Sequence, residues 1–151
     1  MFLVMVSRMS SDSLSARADL MIRLFDQAPM KHTFGMVLSY DESGNARLDM
    51  PHQVDFRNGI QDTHGGVIAT LLDNAGWFTA AMQYENWVNT SEITVRLHEP
   101  ANQEDLFAVG HIVRAGRRLC VAGMEVRSTS GRLVATGTGT FVVSSKPISL
   151  S

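Results

Sequence analysis

The chain of 151 residues holds a single cysteine, Cys120, so no internal disulfide can form. That excludes a disulfide-stapled scaffold and suits a reducing compartment. Charge of one sign is also missing: 13 Lys and Arg face 15 Asp and Glu, for a formal net charge of -2. Nothing in that balance marks a nucleic-acid binder. Long apolar runs are absent too. The opening MFLVMV is six residues long and stops at Ser7-Arg8. It lacks the basic start, longer apolar stretch and small-residue cleavage site of a signal peptide. No run reaches the ~18 or more apolar residues that would cross a bilayer. The expectation is a cytoplasmic protein bound to neither membrane nor nucleic acid, with Met9 as an alternative start. The sequon Asn89-Thr90-Ser91 carries little weight without a secretory signal.

Several chemistries lack their residues. His32, His52, His98 and His111 show no metal-ligand spacing, and one cysteine offers no zinc set. Gly137-Thr-Gly139 opens no helix, so it is not a dinucleotide fingerprint. There is no Gly-x-Ser-x-Gly, which leaves a serine hydrolase of the α/β type unsupported. Cys120 lies in a strand pattern and reads as a buried thiol rather than a nucleophile. No metal or cofactor is expected.

What is present fits one domain over residues 1–151, 44 % hydrophobic and 19 % charged. Apolar residues in 13–27 recur at helical spacing, and Pro29 follows. Residues 34–40 and 45–50 read as a hairpin around Asp41-Glu-Ser-Gly44. The stretch 51–63 reads as a loop, and 65–84 as a long helix. Strands follow around Ile93, Val95 and Leu97, then over 106–113, 119–127 and 133–143. Short spacing and tight turns favour an antiparallel sheet, so the fold class is α+β.

The long helix is unusual. At about 100° per residue, Val67, Ile68, Leu71, Leu72, Ala75, Phe78 and Met82 fill one wide stripe. The opposite side carries Ala69, Asp73, Gly76, Trp77 and Ala80. That side is not a solvated face. It is one acid among small residues and a tryptophan, as in a helix that a sheet wraps. Burial would raise the Asp73 pKa unless donors surround it, which fits an acid kept for proton or nucleophilic chemistry or one satisfied by nearby hydroxyls. Gly65 and Gly66 open the helix, where unpaired N–H groups and the helix dipole could polarise a carbonyl oxygen. Gly65 and Asp73 are eight residues apart, roughly 12 Å along a helix. One carbonyl carbon cannot reach both. If both act on one substrate they come from different chains, in a two-fold dimer with two composite sites.

The set Asn58, His64-Gly65-Gly66 and Asp73, at intervals of six and nine residues from asparagine to histidine to acid, resembles hotdog-fold acyl-CoA thioesterases of the phenylacetic-acid-pathway type. The likeness continues through SEITVRLHEPA, EDLFAVGHIVRAGRRL and GRLVATGTGTFVV, covering most of residues 34–143. The resemblance implies a hotdog fold, a long central helix wrapped by a curved antiparallel sheet, and a homodimer or dimer of dimers with sites at the interface. It implies that the Gly65 amide polarises a thioester carbonyl. Asp73 of the partner chain would then serve as nucleophile or as general base. Asn58 would help place water or the acyl group, His64 would orient the loop, and Ser91 sits where some members keep a hydroxyl. On the substrate side it points to Gly66, to Trp77 beside the acyl group or in the dimer interface, and to Arg114, Arg117 and Arg118 near the coenzyme A phosphates. Members commonly carry a glycine three residues before the histidine, where this chain has Gln61. The expected function is hydrolysis of an apolar (aryl, arylacetyl or medium-chain) acyl-CoA. The rivals are a thioesterase acting on acyl carrier protein and a non-catalytic acyl-CoA binder.

Overall fold

The computed structural model describes residues 9–150. The reading of MFLVMV falls outside that range. The chain opens with α1, Ser11–Asp26, whose first turn is held by Ser10: its hydroxyl accepts from the Ser13 N–H at 3.3 Å. Met21 and Phe25 are the fully buried residues of its inner face. A second helix follows at once, α2, Pro29–Phe34. Here the structure departs from the expected strand start at Phe34. Pro29 pre-sets the first helical turn, and Gly35, at φ +65°, ends it with its N–H on the Lys31 carbonyl. The first strand therefore begins later.

Two strands make the expected hairpin: β1, Val37–Tyr40, and β2, Ala46–Met50. Its turn is closed by Asp41, whose Oδ1 accepts from the Ser43 and Asn45 N–H groups. After a loop containing a 3-10 turn at Val54–Phe56 comes α3, Gly65–Ala81. The expected helix ran on to Tyr84, but residues 82–84 tighten into i→i+3 turns. Four strands complete the chain: β3, Asn86–Leu97; β4, Leu106–Ala115; β5, Leu119–Ser128; and β6, Leu133–Pro147.

All six strands pair antiparallel in the order β1-β2-β4-β5-β6-β3. This is the hotdog arrangement: α3 packs against β2, β3, β4, β5 and β6. Alternation on the strands turns Ala108, Met124, Val126, Ala135 and Phe141 inward onto Leu71, Leu72 and Ala75. Burying each large side chain contributes about 1.5–3 kcal/mol. Two glycines let the helix seat this close. A Cβ on Gly110 would lie 2.5 Å from the Ala75 carbonyl oxygen, and one on Gly76 would lie 2.8 Å from the Phe141 ring. At the far end of α3, Arg17 of α1 donates to the carbonyls of Ala81, at 3.0 Å, and Tyr84. A cation on these last carbonyls suits the negative end of the helix dipole and ties α1 to α3. Cys120 is fully buried, and burial pushes its thiol up to about 11. No described helix is long and apolar enough to cross a membrane.

Candidate active site

The start of α3 is built around His64. Its backbone is extended, at φ -61° and ψ 136°, and its Nδ1 accepts from the Gly66 N–H at 2.9 Å. The ring is thus a helix cap, and accepting through Nδ1 leaves the proton of the neutral imidazole on Nε2. The N–H groups of Val67 and Ile68 return to the His64 carbonyl. With Gly66 taken by the ring, Gly65 is left with no hydrogen-bond partner for its N–H among the described residues. Leu97 of β3 lies over it, close enough that a Cβ on Gly65 would sit 2.7 Å from a Leu97 methyl. A cleft of about 300 Å³ opens here, with Asn58, Ile60, Gly65 and Leu97 in its walls.

The loop before His64 is a small closed unit. Arg57 and Thr63 form an isolated bridge. The Asn58 side-chain carbonyl accepts from the N–H groups of Ile60 at 3.0 Å and Asp62 at 3.2 Å. Gln61 adopts φ +67°, the left-handed conformation that a glycine takes without strain. The backbone shape expected of the family's glycine is therefore kept by a glutamine. Asp62, unremarked in the sequence, fixes the loop to the rest of the molecule: its carboxylate accepts from the Thr63 and Ala101 N–H groups, both at 2.9 Å.

Asp73 lies two turns further along α3, half-buried, in a second cleft of about 420 Å³. Thr90 of β3 donates its hydroxyl to the Asp73 Oδ1 at 2.9 Å. Burial holds the carboxyl above the usual carboxylate range, and the Thr90 hydrogen bond only partly opposes this. Trp77, one turn on, lines the same cleft, with its indole N–H on the Val88 carbonyl at 2.9 Å and its ring 5.6 Å from that of Trp87. Sequence reasoning had singled out Ser91, but the hydroxyl on the acid belongs to Thr90. The register of β3 against β6 slips between Thr90 and Glu92, which leaves Ser91 as the extra, exposed residue of a bulge. Thr90 could have been found only by knowing which strand residue faces Asp73, 17 positions away.

Within one chain the clefts stay apart. Gly65 and Asp73 face different cavities, and the helix separates them by roughly 12 Å. Arg114, Arg117 and Arg118 are exposed at the turn between β4 and β5. That turn sits beyond the C-terminal end of α3, where the Tyr84 hydroxyl donates to the Gly116 carbonyl at 2.8 Å. Among the described residues no three acidic, histidine or cysteine side chains converge as a metal site.

The family model described as the thioesterase superfamily matches residues 61–135, a span that holds His64, Gly65, Gly66, Asp73 and the three arginines. A candidate esterase of Halobacterium salinarum is 30 % identical over 122 residues, covering 72 % of this chain and 80 % of that protein. The chain belongs to the thioesterase superfamily. As a thioesterase its reaction class is thioester hydrolysis. Solved structures share its fold. The Escherichia coli PaaI protein, from the phenylacetic acid degradation operon, superposes with a TM-score of 0.80 at 20 % identity, over 92 % of this chain and 99 % of its own. A Bacillus halodurans protein solved with CoA gives 0.72 at 24 % identity, over 88 % of the thioesterase and 92 % of its own chain.

Proposed function

We propose that this thioesterase hydrolyses acyl-CoA carrying an apolar acyl group, at two equivalent sites shared between two copies of the chain. The observation that carries the reading is the Asp73 carboxylate, half-buried and bound to Thr90, in a cleft whose remaining walls are mostly apolar. Its raised pKa makes it a stronger base than a solvated carboxylate. The second requirement, a donor for the developing oxyanion, is met by the unpaired Gly65 N–H at the positive end of α3.

The strand β3 supplies a way to bring the two together. It is an edge strand of 12 residues, largely exposed from Asn89 to Leu97, and such an edge is a template for pairing. Thr90 near its start touches Asp73, and Leu97 at its end touches Gly65. Antiparallel pairing of β3 with its own copy, about a two-fold axis at Thr94 and with Ser91 as the bulged residue, sets Thr90 opposite the partner's Leu97. Asp73 then faces the partner's Gly65, which is the composite site that the spacing along α3 requires.

In that site the partner's Gly65 amide holds the thioester oxygen. Asp73 either takes a proton from the attacking water and passes it to the leaving thiolate, or attacks the carbonyl carbon to form a mixed anhydride that water then hydrolyses, the water's proton going to the thiolate. The C–S bond breaks, and the acid and the coenzyme A thiol leave. His64 holds the amides in place through its cap, and Asn58 faces the same cleft as Gly65. Arg114, Arg117 and Arg118 offer guanidinium donors to coenzyme A phosphates. The Bacillus halodurans relative solved with CoA supports coenzyme A as the carrier.

The experiment is release of free thiol from phenylacetyl-, benzoyl-, hexanoyl- and palmitoyl-CoA, with the native chain and Asp73→Ala. The expected result is turnover of at least one substrate, falling about a hundredfold or more in the folded variant. Turnover that survives the substitution removes Asp73 from the mechanism. Oxygen-18 water in a single turnover bears on the two roles: label retained on Asp73 marks a nucleophile whose anhydride water opens at Asp73, and label only in the released acid marks water attack at the acyl carbon.

A further inference from the structure

The cleft beside Asp73 has a wall that the proposed chemistry does not use. Leu24 at the end of α1, Ala28 in the joint and Met30 at the start of α2 form one side, all half-buried. Trp77 and Trp87 form the other. Phe25 and Phe78, 1 % and 7 % exposed and packed edge to face at 5.1 Å, close the floor. The polar groups Thr70, Asp73, Asn74 and Thr90 line the same cavity along α3 and β3. The wall of α1 and α2 lies outside residues 61–135, the span that the family model matches.

The joint is held rather than loose. The Ala28 N–H donates to the Phe25 carbonyl at 2.9 Å, Pro29 fixes the backbone into α2, and Lys31 pairs with Asp26 at 2.8 Å. A cavity of 420 Å³ equals a cube of about 7.5 Å on edge. From a C–C bond of about 1.5 Å, an extended alkyl chain advances roughly 1.25 Å per carbon, so a hexyl group spans about 7.5 Å and a dodecyl group about 15 Å. The first matches that edge and the second is twice as long.

Resting on the thioesterase reading, we propose that the α1–α2 joint is the specificity element of this enzyme: Leu24, Ala28 and Met30 bound the acyl group and limit it to about six extended carbons or a single ring. The acyl group lies against the two indoles with its thioester at Asp73.

The test uses S-hexyl-CoA and S-dodecyl-CoA, thioethers that cannot be hydrolysed, with free CoA as the control. Trp77 and Trp87 are the only tryptophans in the sequence, and both line the cleft, so intrinsic emission reports its occupancy. Native protein is expected to change emission with S-hexyl-CoA and to bind it at least tenfold more tightly than S-dodecyl-CoA. Ala28→Phe, which fills the cavity, is expected to weaken S-hexyl-CoA tenfold or more and to leave free CoA unchanged. Leu24→Ala with Met30→Ala, which opens the wall, is expected to move the preference toward dodecyl by tenfold or more. Met30→Ala alone is the milder variant should the pair not fold. A hexyl-to-dodecyl ratio that stays within threefold in every folded variant overturns the proposal, as does thioether binding that leaves the emission unchanged. Hydrolysis of hexanoyl-CoA is followed in parallel. Chain-length-dependent binding without hydrolysis refutes the enzyme reading and upholds the wall. Hydrolysis with an unchanged ratio does the reverse.

Discussion

Gly110→Ala tests whether α3 sits as close to the sheet as the fold requires. The added Cβ would lie 2.4 Å from the Thr79 hydroxyl and 2.5 Å from the Ala75 carbonyl oxygen. The first contact has a side chain that could turn, but Thr79 accepts the Ala46 N–H at 2.9 Å, so turning it strands a buried donor. The second contact is helix backbone and yields only if α3 moves off β4. Overpacking of this kind costs about 1–3 kcal/mol, and contact with backbone places it at the upper end, near 3. Replacing glycine restricts the unfolded chain and returns about 0.4–1 kcal/mol. The net loss is about 2–3 kcal/mol, which for a domain of this size lowers Tm by roughly 4–12 °C. Urea melts of both proteins give the difference directly, and Thr79→Ala in the same background should not restore it, since the Ala75 carbonyl remains. A Gly110→Ala protein within 0.5 kcal/mol of native would refute the packing of α3 on β4.

Gln61→Gly should stabilise. A left-handed residue with a Cβ costs about 1–2 kcal/mol, and the greater unfolded freedom of glycine takes back about 0.4–1, so a gain near 0.5–1 kcal/mol is expected in urea melts. Any loss of stability would contradict the strain. Thr90→Val removes the hydrogen bond that lowers the Asp73 pKa, leaving burial unopposed. The active form is the carboxylate, so the acid limb of kcat/KM should move to higher pH, read from rate profiles across the acidic range. A limb that stays in place or moves down would remove Thr90 from the acid's environment.

The parts of this protein written in local spacing were legible in its sequence. The helical stripe of α3, the hairpin turn at Asp41 and the alternation in β4 and β5 each follow from residues within a few positions of one another. The proposed dimer also rests on local spacing, because the rise of a helix fixes the distance from Gly65 to Asp73. What escaped depended on distant partners or on pieces too short to show a period. The helix α2 has six residues, and Pro29 and Gly35 bound it more clearly than any pattern inside it. The bulge that exposes Ser91 and gives Thr90 to Asp73 is a property of the pairing of β3 with β6. Asp62 anchors its loop through the Ala101 amide, 39 residues away. The cleft beside Asp73 joins residues from 24 to 90 in one cavity, which no local window contains.

The shared site is tested most directly by complementation between two inactive chains. Asp73→Ala removes the acid. Gly65→Pro removes the N–H and adds a ring whose Cβ meets a Leu97 methyl at 2.7 Å, the far end of a side chain that can turn; proline otherwise suits the first position of a helix, and the extended backbone of His64 is the one that a following proline requires. Each variant alone should lack activity. Co-expressed, they should form mixed dimers in which one site keeps both Asp73 and the partner's Gly65 amide, and random mixing should return about a quarter of native activity. If the acid and the amide act within one chain, every chain in the mixture is defective, and activity would stay at the level of the separate variants.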